Sequence, residues 1–152
     1  MKHYLIALLT IIMLAATTAV HAANPDDILG VWNTEDRDAK IEIYKCGTKY
    51  CGKVVWLSEP TYPAGSEEGT PGTPLLDRNN PDPALRKAPL VGLSILHDFV
   101  FVGGDSWKKG KIYSSENGKT YSGKLTLVSP HELKVRGFIG ISLFGGSTTW
   151  KR

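Results

Sequence analysis

Polar and apolar residues alternate in short runs over most of the chain, and a period of two predicts strands rather than helices. Residues 40–45, Lys40-Ile41-Glu42-Ile43-Tyr44-Lys45, alternate strictly, and residues 50–57 resume the pattern after a short Gly-Thr-Lys stretch, as in a hairpin. The pattern returns at residues 89–96 and 99–103 and again at 106–113. Asn117-Gly118 is a two-residue turn signal, and it leads into residues 120–128 with Tyr121, Gly123, Leu125 and Leu127 on one face. After the turn at Ser129-Pro130, residues 131–137 turn Leu133 and Val135 inward and Lys134 and Arg136 outward. A last strand is predicted at residues 147–152, where Trp150 and Arg152 share a face. About eight antiparallel strands joined by sequential hairpins predict an all-β, up-and-down barrel, whose interior either fills with side chains or holds one small ligand. A β-sandwich would ordinarily carry a long-spaced cysteine pair, which is missing here.

The cysteines bear on the first hairpin. With Cys46 opposite Cys51, Tyr44 faces Lys53, Ile43 faces Val54 and Ile41 faces Trp56, so one face is apolar and the sulfurs fall on the outer face with Glu42 and Lys53. In an exported chain the pair predicts a disulfide. Four intervening residues argue against a redox motif, and no histidine lies nearby to complete a zinc site.

Between residues 58 and 88 the alternation stops. Seven of the nine prolines fall here if the boundary residue Pro89 is included. So long a connection predicts a functional or disordered loop. Within it Asp82-Pro83-Ala84-Leu85-Arg86 reads as one helical turn with Asp82 as N-cap and Pro83 at the first helical position, while residues 65–69 read as mobile.

The N-terminus has a basic start at Lys2, an apolar run from Tyr4 to Ala16 and a small-residue ending at Val20-His21-Ala22, the form of a secretory leader. The apolar run is shorter than the roughly 20 residues that span a bilayer. Cleavage after Ala22 predicts a periplasmic or secreted domain over residues 23–152, with no transmembrane segment. Without Lys2 the mature chain keeps 17 basic residues against 15 acidic ones, dispersed along the strands, so a nucleic-acid footprint is absent.

Two tryptophan tags bracket the mature chain, Gly30-Val31-Trp32 and Trp150-Lys151-Arg152. In a closed barrel, a ring from the first strand plugs one end while a cation from the last lies over it, so Trp32, Trp150 and Arg152 are the closure residues. Ile41, Ile43, Val54, Trp56, Tyr121, Leu125, Leu127, Leu133 and Val135 are the inward set, and two readings of them stay open: the lining of an apolar pocket, or a packed core. Residues 137–146 read as a hydrophobic lip or as strand ends with glycines at bends. Residues 77–82 offer oxygen ligands without the spacing of a calcium loop, which favours turn and cap chemistry. His97-Asp98 and His131-Glu132 make no dyad, because neighbours in a strand point to opposite faces. No serine-elbow or zinc-protease motif occurs, so neither catalytic residue nor metal nor cofactor is assigned.

Gly30-Val31-Trp32, Ile41 through Cys46, Tyr50-Cys51-Gly52-Lys53, Asn80 through Arg86, Gly110-Lys111-Ile112-Tyr113, Gly118-Lys119-Thr120-Tyr121 and Gly137 through Gly145 stand in an order that resembles the exported bacterial domain of unknown function 2147. The resemblance covers essentially the whole mature chain. It implies a lipocalin-like (calycin) barrel and an exported protein, and no established activity. It also implies that Trp32 and Arg152 close the barrel floor; here the cation is the terminal residue, where fraying works against the contact. The expected function is binding of a small hydrophobic or amphipathic ligand inside the barrel, with residues 58–88 as a lid. A protein-interaction module using that loop is the alternative, and an enzyme the more distant one.

Overall fold

The computed structural model describes residues 22–141 and 145–152. The leader-like segment before Ala22 and residues 142–144 of the glycine-rich stretch lie outside the described residues. The strands are β1 (Gly30–Asn33), β2 (Ala39–Cys46), β3 (Lys49–Leu57), β4 (Ser94–Gly103), β5 (Ser106–Ser114), β6 (Lys119–Ser129), β7 (Glu132–Phe138) and β8 (Gly145–Lys151), with a 3₁₀ turn at Pro83–Leu85. Each pairs antiparallel with its sequence neighbour, and β1 pairs with β8 at Asn33 and Lys151, closing an eight-stranded barrel. The Asn33 side-chain amide donates to the Lys151 carbonyl at 3.0 Å across that seam.

The register of the first hairpin differs from the expectation. Cys46 pairs with Lys49 around a two-residue turn, so Tyr44 faces Cys51, Ile43 faces Gly52 and Ile41 faces Val54. Gly47, at φ 69°, supplies the left-handed conformation that so tight a turn needs. Because the slip is two residues, the faces are unchanged, and Ile41, Ile43 and Val54 still point inward. The disulfide Cys46–Cys51 bridges diagonally, with a Cα–Cα distance of 5.8 Å.

Trp56 needs a correction. Ile41 pairs with Val54 but Lys40 pairs with Trp56, so Val55 is an extra residue in β3 and the side-chain alternation reverses beyond it. Trp56 therefore lies on the outer wall, 42% exposed, with the Lys40 ammonium 5.1 Å from its ring centre. A second bulge joins the end of the strand expected at 89–96 to the one expected at 99–103, so that β4 runs from Ser94 to Gly103, while residues 89–93 belong to the long connection and not to a strand. Asp98 takes φ 59°, a conformation Asp tolerates better than most residues, and the ladder continues through it.

One end of the barrel is solid. Trp32, Ile28, Phe99 and Trp107 are fully buried. Phe99 fits because inward positions on β5 and β6 are Gly110 and Gly123, where a Cβ would come within 2.4 Å of its ring. Residues 23–29 cross this end: the Ala23 amide donates to the Gly104 carbonyl, the Trp107 indole to the Pro25 carbonyl and the Trp32 indole to the Ile28 carbonyl. The Arg152 guanidinium lies 4.2 Å from the centre of the Trp32 ring.

Candidate functional site

The opposite end carries the β1–β2 turn, the long connection from β3 to β4 and the β5–β6 turn, and the long connection forms a roof. Its first half folds on itself. The Tyr62 amide donates to the Thr73 carbonyl and the Leu75 amide to the Pro60 carbonyl. Tyr62 is buried against Gly69, where a Cβ would stand 2.3 Å from the ring. Its second half returns along β3, where the Val54 amide donates to Leu93 and the Gly92 amide to Val54.

Between these halves a polar knot fastens the roof to the barrel. The Asp77 carboxylate is fully buried, and one oxygen accepts from the Tyr113 hydroxyl of β5 while the other accepts from the Asn80 amide, both at 2.7 Å. Asn79 donates to the Ser115 and Glu116 carbonyls in the β5–β6 turn. Asp82 accepts from the Ala84 amide and caps the 3₁₀ turn, and Arg86 Nε donates to the Asn80 carbonyl. The side-chain oxygens of Asp77, Asn80 and Asp82 thus accept hydrogen bonds from within the protein. Gly118 lies so close that a Cβ there would meet the Asn79 carbonyl oxygen at 1.9 Å.

Beneath the roof is a cavity of about 630 Å³. Ala39, Ile41, Val54, Leu57, Ile95 and Trp150 line it from the barrel, and Leu75, Leu90 and Leu93 from the roof. A half-open cavity of this size, with an apolar wall and polar groups from three connections around it, has the make-up of a small-molecule site. A neighbouring depression of about 720 Å³ between the ends of β1 and β8 is lined by polar and charged side chains of both signs, among them Glu35, Arg37, Glu132 and Lys151, and lacks an apolar floor.

The inward set is divided between the two halves of the barrel. Ile41 and Val54 line the cavity; Ile43, Leu125, Leu133 and Val135 are buried in the core, and Leu127 packs against it partly buried. Tyr121 is half-buried, and its hydroxyl accepts from Asn117. Trp56 stands outside. Leu75, Leu90 and Leu93 were missed because the proline-rich segment has no periodicity to assign a face; leucines in an otherwise polar loop were the available signal. His97 is half-buried within β4, opposite Lys111, and His131 is exposed in the β6–β7 turn.

Two tyrosine hydroxyls are shifted. Burial, then the hydrogen bond and charge of Asp77, push Tyr113 up to about 12, and burial followed by Asp26 does the same to Tyr50. Asp26, at the closed end, is held below the usual carboxylate value by its hydrogen bond with Lys45 and then by Tyr50.

Comparison with known proteins agrees with this architecture. Residues 30–152 match the model of a family described as "Uncharacterized protein conserved in bacteria (DUF2147)". Among solved structures the chain is similar to protein HP1028 from the human pathogen Helicobacter pylori, described as belonging to the lipocalin family. The two are 25% identical with a TM-score of 0.68, and 82% of each chain is covered. No curated protein matches the chain.

Proposed function

The chain belongs to the DUF2147 family of bacterial proteins, and on that premise we propose that it is an exported binding protein that holds a small hydrophobic or amphipathic molecule under its roof. The cavity of about 630 Å³ carries this reading, because its apolar wall, between a packed barrel floor and a docked loop, faces water unless a ligand covers it. The lipocalin-like barrel supports it as an analogy of fold. The role assigned is binding rather than catalysis. Export rests on the leader pattern, and the disulfide is compatible with it.

If a ligand removed roughly 300 Å² of apolar surface from water, the gross gain would be about 7 kcal/mol, and association costs would leave weak to micromolar binding unless polar groups contributed. The test is native mass spectrometry of the protein produced with its own leader and recovered from the periplasm, followed by denaturing extraction. A stoichiometric mass excess lost on denaturation is the expected result. Leu93→Trp, which fills the cavity from the roof, should abolish the excess while far-ultraviolet circular dichroism stays unchanged. A clean apo mass from the wild type, with no binding of added amphiphiles, would overturn the proposal and favour a protein partner at the loop.

A further inference from the structure

We propose that the occupant of the cavity is an amphiphile with a cationic head, its apolar body against Ile41, Val54 and Trp150 and its positive group at the mouth. This rests on the reading of the cavity as a ligand site and names the chemical class. Five carboxylates line the cavity, Glu35, Asp36, Asp38, Glu59 and Glu116, and no lysine or arginine does. The whole chain carries a formal charge of +3, so this accumulation runs against the balance of the molecule.

The acids come from separate connections at the same end. Glu35, Asp36 and Asp38 lie in the β1–β2 turn, Glu59 begins the roof and Glu116 is in the β5–β6 turn, so negative charge is spread around the mouth. Arg37, in the same turn as three of them, lines the neighbouring depression, which Glu35 shares with it and the other four acids do not. None of the five forms an ion pair among the described residues. Glu35 accepts from the Thr148 hydroxyl and the Thr149 amide, and Asp38 from the Thr34 hydroxyl, bonds that fix the carboxylates without cancelling their charge. The side chains of Asp36, Glu59 and Glu116 have no hydrogen-bonding partner among the described residues.

A cavity whose wall is apolar and whose edge is negative discriminates by head group. An apolar chain gains the same burial whatever it carries, while a cation at the mouth adds attraction to several carboxylates at once. A fatty-acid carboxylate in the same place would be repelled by them, and a neutral head would gain nothing from their charge.

Three probes with one chain and different heads separate these cases: decyltrimethylammonium, decanoate and 1-decanol, each titrated into the full mature protein and followed by tryptophan fluorescence and calorimetry. The expected result is binding of decyltrimethylammonium about tenfold tighter than of decanol at low ionic strength, with decanoate weakest, and a gap that narrows at about 0.5 M salt. The variant Asp36→Asn/Glu59→Gln/Glu116→Gln should lose the preference for the ammonium and keep decanol binding. Decanol or decanoate bound as tightly as the ammonium would overturn the cationic head and leave the cavity reading intact. Failure of all three probes to bind would remove the cavity reading and this inference with it. An ammonium preference that survives both the triple variant and Leu93→Trp would place the cation elsewhere on the protein and overturn the inference.

Discussion

The Arg152 guanidinium is held at several points. Nε donates to the Pro130 carbonyl at 2.9 Å, one terminal nitrogen to Leu29 at 2.8 Å and the other to Asp27 at 2.7 Å. The fork thereby ties the β6–β7 turn to the segment that crosses the closed end, while its face lies over Trp32. The Arg152 amide adds a further tie by donating to the His131 carbonyl. Arg152→Ala should lower stability by about 1–3 kcal/mol, measured as the urea midpoint at unchanged m-value. Arg152→Lys should recover only part of the loss, because one ammonium lacks the planar fork. At the other end Tyr113→Phe keeps the ring and removes one of two donors to the buried Asp77 carboxylate. A cost of about 1–3 kcal/mol is expected, with faster proteolytic cleavage inside the roof as the accompanying sign.

Among the elements, the β2–β3 hairpin shows how local chemistry sets local structure. Its turn is two residues long, and its strands are already joined by ladder bonds and by the Lys53–Glu42 ion pair at 3.2 Å. The disulfide therefore constrains a loop that is already short. Cys46→Ser with Cys51→Ser should leave the barrel folded and reduce stability by at most about 2 kcal/mol, read from urea denaturation of oxidised and doubly substituted protein. Strand positions and inward faces were legible in this hairpin because alternation survives a two-residue slip. The fate of Trp56 was not, since a bulge adds one residue without any mark in the apolar pattern. Asp98 belongs with it: a polar pair in the middle of an apolar run reads as a break, and the backbone absorbs it as a left-handed residue.

At the scale of the molecule, the fastening of the roof and the closed end each depend on a tyrosine whose ionisation is tied to folding. Tyr113 and Tyr50 are raised from 10 to about 12, by burial first and then by the carboxylates of Asp77 and Asp26. An unfolded phenol loses its proton near pH 10, whereas these keep theirs while the protein is folded. Their contribution to stability is full below pH 10 and is lost as pH rises toward 12. Tyrosinate absorbance should show these two hydroxyls titrating late and together with the loss of near-ultraviolet circular dichroism. Replacing both with phenylalanine should remove that late step.

The sequence alone determined the strand-rich class, the order of hairpins and the disulfide, because each is written in residue spacing of a few positions or in the type of residue at a turn. It also marked residues 82–86 as a capped turn. Of the three residues it named for closure, Arg152 lies over Trp32 at the closed end, whereas Trp150 lines the cavity at the other. Whether the interior was open or packed could not be read, because both readings use the same inward apolar residues. Tertiary structure decided it by division: Phe99, seated over Gly110 and Gly123, fills one half, and the docked roof leaves a cavity in the other. Leu75 and Leu90 reach the cavity on a roof fastened by the bonds of Asp77 to Tyr113 and of Asn79 to the β5–β6 turn, Leu93 is held by the Val54 amide, and the acids arrive from three separate connections. Such contacts have no period, so only the folded chain brings these residues to one place.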